Sequence, residues 1–217
     1  MCRNPDQGQK IPGAAPYTGS VNRNVLAILI TIGLIATAAL AFSVYRLQTP
    51  EPALAGTGLD NPIPVHQLEL LAAGNVPVTL ADYTADVTAV FFGFTRCPDV
   101  CPLTMAQLAD TYRNLGEPDN LKTIMVTVDP GNDTSDITQA YASNFHPAFT
   151  GLSGSNQQVA KAASTFFVGY NDTQQGVTHT DALLLVDAQG NFRRVYTADN
   201  MPHLEQDLRQ ILAGADW

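Results

Sequence analysis

Residues Asn24–Tyr45 (NVLAILITIGLIATAALAFSVY) form an apolar run whose only ionisable side chain is the Tyr45 phenol. Such a run has no polar face, which suits a helix covered on all sides. At about 1.5 Å per residue it covers about 33 Å, enough for a bilayer core of about 30 Å. Arg23 and Arg46 bracket it, and Tyr45 falls where an interfacial aromatic is expected. A secretory apolar region is shorter, about 7–15 residues. The pattern therefore predicts an uncleaved single-pass transmembrane anchor over residues 24–45. A cleaved signal peptide ending at Ala53-Leu54-Ala55 and a buried soluble helix are the lesser readings. Basic Arg3, Lys10 and Arg23 precede the run, so residues 1–23 are expected in the cytoplasm. The bulk of the chain is then expected on the exported, periplasmic or extracytoplasmic, side of the cell membrane.

Residues 46–64 are rich in Pro and Gly and have no period, which predicts a tether. Beyond them the pattern alternates. Val87–Phe94 (VTAVFFGF) and Leu121–Val128 (LKTIMVTV) are continuous apolar runs, as in strands buried on both faces. Phe149–Leu152 is a short third strand. Pro102–Leu115 carries Leu103, Ala106, Leu108 and Leu115, with Pro102 suited to a first helical turn. Asp133-Thr134-Ser135-Asp136 opens a helix running to about Phe145. Asn156–Phe167 and Pro202–Leu212 read as two more helices. Ala182–Val186 and Asn191–Tyr196 flank Asp187-Ala188-Gln189-Gly190, a hairpin signature. A βαβ unit followed by a ββα unit predicts an α/β domain over residues 65–217. Its expected form is thioredoxin-like, a central mixed sheet flanked by helices.

The composition, 45% apolar and only 14% charged, agrees with a membrane-buried stretch. Of the 20 acidic residues only Asp6 precedes Leu47, and the formal net charge is -9. That balance excludes nucleic acid as the main partner. Three cysteines exclude a disulfide-dense scaffold. Cys2 has no apolar run before it, so it is no lipidation site and reads as a bystander.

The chemistry gathers at Cys97-Pro98-Asp99-Val100-Cys101-Pro102, between a predicted strand and a predicted helix. Helix N-terminal amides favour thiolate there, so lowered thiol pKa values are expected, and Arg96 adds a positive neighbour. The cysteines are spaced one residue wider than in dithiol oxidoreductases, which leaves room for both sulfurs to face one soft cation. Three readings stay open: a metal site, a redox dithiol, and a structural disulfide, which over so short a loop would constrain little chain. A thiol peroxidase is a weaker fourth. His179, in Gly176-Val177-Thr178-His179-Thr180-Asp181 just before a predicted strand, is the candidate third ligand. Two cysteines and a histidine suit Cu(I). His66, His146 and His203 read as structural or solvent-exposed. Asp133 reads as a helix cap and Asp129 as closing a turn with Pro130, with partner docking open to both. Arg193 and Arg194 read as solvated strand residues.

The stretch Phe92-Gly93-Phe94-Thr95-Arg96-Cys97-Pro98-Asp99-Val100-Cys101-Pro102 resembles the signature of the Sco/SenC family. Val126-Thr127-Val128-Asp129-Pro130 with Asp133-Thr134, then Gly151-Leu152-Ser153-Gly154, then His179 ahead of Asp187-Ala188-Gln189-Gly190, resemble its later blocks in order. The resemblance implies a membrane-anchored thioredoxin-like protein that binds copper, as Cu(I) and also Cu(II), through Cys97, Cys101 and His179. It implies a metallochaperone, not an enzyme, that supports the binuclear copper site of cytochrome c oxidase subunit II or serves another copper-accepting protein. A thiol–disulfide oxidoreductase or redox sensor using Cys97 and Cys101 is the alternative. Three features depart from the family pattern. Phe94-Thr95-Arg96 stands where Tyr-Thr-His is frequent, Thr178 stands where an acid often precedes the histidine, and no Gly-Asp-Phe motif occurs near Val65–Leu71. Asp181 is a candidate replacement for the missing acid as an orienter of the imidazole.

Overall fold

A computed structural model describes residues 22–48, 53–173, 176–215 and 217, with backbone alone for 45–48, 172–173 and 176–179. Cys2, the segment ahead of residue 22 and the Tyr45 side chain, each given a role above, lie outside the described residues or side chains. Packing divides the chain into two units, Met1–Pro52 and Ala53–Trp217.

In the first unit, α1 (Arg23–Gln48) is one continuous helix. Its most apolar 18-residue stretch within Arg23–Val44 has a mean hydropathy of 2.6, and none of that stretch is buried. Among the described residues it is the one helix long and apolar enough to cross a membrane. Its two threonines satisfy their own hydroxyls. Thr31 donates to the Ala27 carbonyl at 2.9 Å and Thr37 to the Gly33 carbonyl at 3.0 Å, so neither needs water.

The second unit opens with strands β1 (Thr57–Pro64), β2 (Glu69–Ala72) and β3 (Val76–Thr79), then β4 (Val87–Gly93). It continues through α2 (Val100–Asn114), β5 (Leu121–Thr127), α3 (Ser135–Phe145), β6 (Thr150–Leu152) and α4 (Asn156–Thr165). Strands β7 (Tyr170–Thr173), β8 (Gly176–His179), β9 (Leu183–Asp187) and β10 (Asn191–Tyr196) follow, and α5 (Leu204–Leu212) closes the fold. The central sheet has the order β1-β10-β9-β4-β5-β6, with β4, β5 and β6 parallel and β9, β10 and β1 antiparallel. This is the expected thioredoxin-like arrangement, a mixed sheet flanked by helices.

The continuous apolar runs are the innermost strands: every residue of β4 and β9 is buried. Alternation along β4 sends Phe92 to one face, where it meets Phe166 at the end of α4 with ring centroids 5.5 Å apart. Phe91 and Gly93 face the other way, toward α2 and Cys101. Gly151 lets α3 lie directly on β6, since a Cβ there would come within 2.2 Å of the Thr138 carbonyl oxygen.

Several expectations need correction. Residues 57–64, expected within a tether, are strand β1 on the β10 edge, so the folded unit starts before residue 65. The α3 N-cap is Thr134, whose side chain accepts from the Ile137 N–H, and not Asp133. The last helix begins at Leu204 after a tight turn over Met201–His203. Arg193 and Arg194 are half-buried and engaged: Arg193 pairs with Asp187 at 3.4 Å and donates to the Trp217 carbonyl, and Arg194 donates to the Gly56 carbonyl at 2.6 Å. His146 is structural as expected, buried edge-on against Tyr112 with ring centroids 4.8 Å apart.

Replacing Gly151 by Ala forces α3 off the sheet, because the clash is with backbone and no rotamer relieves it. A loss of about 2–3 kcal/mol in urea unfolding is expected. An unchanged midpoint would show that α3 does not depend on this contact.

Candidate functional site

Three connections leave the sheet at one edge because the central strands end level. Gly93, the last residue of β4, pairs with Thr127, the last of β5. Phe91 pairs with Leu183, the first residue of β9, which runs the opposite way. The cysteine turn after β4, the Asp129–Asp133 turn after β5 and the Thr180–Ala182 segment before β9 therefore meet. The outer ends of strands in an open sheet are where ligand chemistry is usually built.

The cysteine turn is held by the Cys97 N–H, which donates to the Phe94 carbonyl at 3.2 Å. Asp99 is the N-cap of α2 but makes no side-chain cap. Instead the Cys101 N–H donates to Cys97 Sγ at 3.4 Å, so a sulfur accepts one of the free amides of the helix start. Neither sulfur is in a disulfide among the described residues. Cys97 is half-buried, whereas Cys101 is 0% exposed. Gly93 makes the room, since a Cβ there would stand 3.2 Å from Cys101 Sγ.

This burial overturns half of the expectation of lowered thiol pKa values. Desolvation pushes the Cys101 thiol well above its usual range, and Cys97 and Asp181 add to the effect against a partial offset from the Phe94 backbone. Position at a helix N-terminus favours thiolate, but removal of the sulfur from water outweighs it here.

Asp133 braces the turn. Its carboxylate, 1% exposed, accepts from the Thr95 N–H at 2.8 Å, the Thr95 hydroxyl at 2.5 Å and the Thr127 hydroxyl at 2.8 Å. One buried charge thus ties the cysteine turn to the end of β5, with three donors compensating its desolvation. Asp129 closes its turn as expected, its carbonyl accepting from the Asn132 and Asp133 N–H groups. Its carboxylate also pairs with Arg96 at 2.6 Å. The cation beside the thiols is therefore partly neutralised by a buried acid.

Of the three predicted site residues, the fold brings Cys97 and Cys101 together. His179 is the last residue of β8, paired with Tyr170 in a two-stranded hairpin instead of the loop expected there. Two residues on, Asp181 accepts from the Thr104 hydroxyl at 3.4 Å, which ties this segment to α2 one turn beyond Cys101. The His179 imidazole lies outside the described side chains. Among the described residues no group of three His, Cys, Asp or Glu side chains has metal-binding geometry. Thr95, Thr127 and the bracing role of Asp133 were missed in the sequence. The one available signal was that all three lie inside the motif blocks quoted above.

Two outcomes follow from this geometry. Limited iodoacetamide treatment of the reduced protein alkylates Cys97 first and leaves Cys101 protected until unfolding, read by peptide mass spectrometry; equal labelling would contradict the buried placement of Cys101. Asp133→Ala strands three donors and lowers stability by about 3 kcal/mol in denaturant unfolding, with faster labelling of Cys97. A variant with native stability and native labelling would remove Asp133 from this role.

Residues 61–213 match the SCO1/SenC family. A SCO2-like protein of Rickettsia felis is 27% identical over 202 residues, which span 88% of this chain and 97% of that protein. Among solved structures, apo Sco1 from Thermus thermophilus is 36% identical with a TM-score of 0.64, covering 74% of this chain and 96% of its own. Arabidopsis thaliana ScoI, solved with copper bound, is 25% identical with a TM-score of 0.63, covering 71% of this chain and 98% of its own. The family match takes in the whole reactive edge, from the cysteine turn to the hairpin that ends at His179, and the chain belongs to the SCO1/SenC family.

Proposed function

We propose that this chain carries copper as cargo through Cys97, Cys101 and His179 and delivers it to a cysteine-bearing acceptor. The supporting observation is a pair of cysteines at a helix start, outside any disulfide, one buried and one half-buried, in a SCO1/SenC chain similar to a protein solved with copper bound. Two soft sulfurs with an imidazole suit Cu(I), and the open side at Cys97 lets an incoming thiolate displace the ligands one at a time. The binuclear copper site of cytochrome c oxidase subunit II is the acceptor that the family resemblance suggests. Segment 24–45 is the proposed membrane anchor, with residues 1–23 in the cytoplasm and the folded unit on the exported side. Apolar character on every side of α1, self-satisfied threonines and flanking basic residues support this.

A second reading rests on the inequality of the two sulfurs. In thiol–disulfide exchange a half-exposed sulfur attacks a partner disulfide, and a buried one resolves the mixed disulfide. Cys97 and Cys101 have those placements. The exchange turns two thiols here into a disulfide and the partner's disulfide into two thiols, and it would prepare an acceptor's cysteines for copper.

Titration of the reduced protein with Cu(I) against a competing chelator, without oxygen, separates the readings. One tight equivalent is expected, abolished in Cys97→Ala or Cys101→Ala and weakened more than about tenfold in His179→Ala, whose disulfide still forms. Full affinity in His179→Ala would refute its ligand role. No tight equivalent, beside a readily cycled disulfide, would leave the oxidoreductase.

A further inference from the structure

Beside the cysteine turn the folded unit carries a groove of about 210 Å³. Val100 and Leu103 of α2 line it, with Asp181 and Leu183 at the start of β9 and Met201 and Pro202 beyond β10. The groove belongs to the reactive edge. Leu183 pairs there with Phe91, and the N–H of the peptide joining Val100 to Cys101 donates to Cys97 Sγ at 3.4 Å. The half-buried sulfur therefore stands one peptide unit from a groove-lining residue. Few large apolar side chains of the folded unit are exposed among the described residues, but Leu103 is 65% exposed and Val100 36%. Three residues apart on a helix, they share a face. An exposed apolar patch of this kind marks a surface that a partner covers. The volume falls below the about 300–1,000 Å³ of small-molecule pockets and suits side chains of a docked polypeptide instead. The charge is one-sided. Asp181 lines the groove, exposed Asp99 and Asp199 adjoin the lining residues Val100 and Ala198, and no Lys or Arg among the described residues lines it.

We infer that this groove docks the acceptor segment that carries the incoming cysteine, taking a bulky aliphatic side chain against Val100 and Leu103 and a Lys or Arg against the acids. The inference rests on the proposed meeting of Cys97 with an acceptor sulfur, which copper delivery and disulfide exchange share. Once the segment is seated, the arrival of its sulfur at Cys97 is an intramolecular step at raised effective concentration. The acidic rim also speeds encounter with a basic segment and disfavours an acidic one. The groove thus selects the acceptor by the residues beside its cysteine, while Cys97 supplies the chemistry.

The test uses the reduced full chain in lipid nanodiscs, with Cys2→Ser as background, and two synthetic peptides. One is Lys-Leu-Gly-Cys-Gly-Leu-Lys and the other Glu-Ser-Gly-Cys-Gly-Ser-Glu, each joined through its cysteine to thionitrobenzoate by a disulfide. The Cys97 thiolate attacks the peptide sulfur, a new S–S bond forms, and thionitrobenzoate leaves with the electron pair of the broken one and is read by its colour. Each rate is divided by that of free cysteine with the same peptide, which removes the peptides' own reactivity. The basic, apolar peptide is expected to react about tenfold faster than the acidic one. Leu103→Ser and Asp199→Lys are each expected to cut that preference about threefold or more, with alkylation of Cys97 by neutral iodoacetamide at the parent rate. Equal rates in the parent would overturn the docking and leave the copper reading to the Cu(I) titration. A preference untouched by both substitutions would belong to the net charge of the chain and overturn the groove. A parent dimer that Leu103→Ser dissolves, read by chemical crosslinking, would give this face to a second copy and also overturn the inference. Failure of both peptides to react would overturn the inference together with the reading beneath it.

Discussion

The reactive edge depends on the register of three buried strands. Gly93 opposite Thr127, and Phe91 opposite Leu183, set the levels from which the cysteine turn, the acidic turn and the segment after His179 depart. A slip of one residue between β4 and β5 would turn Phe92 and Gly93 to the wrong faces and carry Thr95 away from Asp133. The Asp133 carboxylate converts that register into a stiff turn, since its three donors come from both strand ends. Burying a carboxylate is costly, and it is tolerable here because each bond also fixes where a sulfur stands.

The two sulfurs have separate environments for a simple steric reason. Cys101 occupies the space that a side chain at position 93 would fill, under the first turn of α2. Cys97 lies before the helix, where it accepts an amide and stays half-open. One placement thus supports both proposed chemistries, since ligand exchange and disulfide exchange each need one accessible sulfur and one protected sulfur. The Arg96–Asp129 pair lies beside the same turn and softens the repulsion that an unpaired guanidinium would exert on a cation.

What was legible in the sequence was whatever a segment's own pattern encodes. The buried strands β4, β5 and β9 announce themselves as apolar runs, and the motif order located the cysteine turn. Strand β1 was missed because its content lies in its partner: TGLDNPIP has two prolines and mostly exposed side chains, and only β10 makes it a strand. The β7–β8 hairpin is short and polar and gave no alternation to read. Asp133 looked like a helix cap because it precedes a helix, yet its donors come from residues 95 and 127, which no local rule connects. Cys101 was misjudged for a related reason, since its position in the helix was visible and the covering over its sulfur was not.

The borders of the sheet bear on how copies of this protein would live side by side. Outermost β1 carries Pro62 and Pro64 and an irregular register between Gly58 and Ile63. On the opposite border β6 is three residues long, and just beyond it Ser153 exchanges backbone hydrogen bonds with Leu71 of β2. Neither border offers a long flat row of free amides and carbonyls to a neighbour. Molecules confined to a bilayer plane, as the proposed anchor requires, meet far more often than molecules free in solution. Blunted borders let such a crowd collide without zipping into aggregates, and leave the sulfur-bearing edge free for encounters that matter.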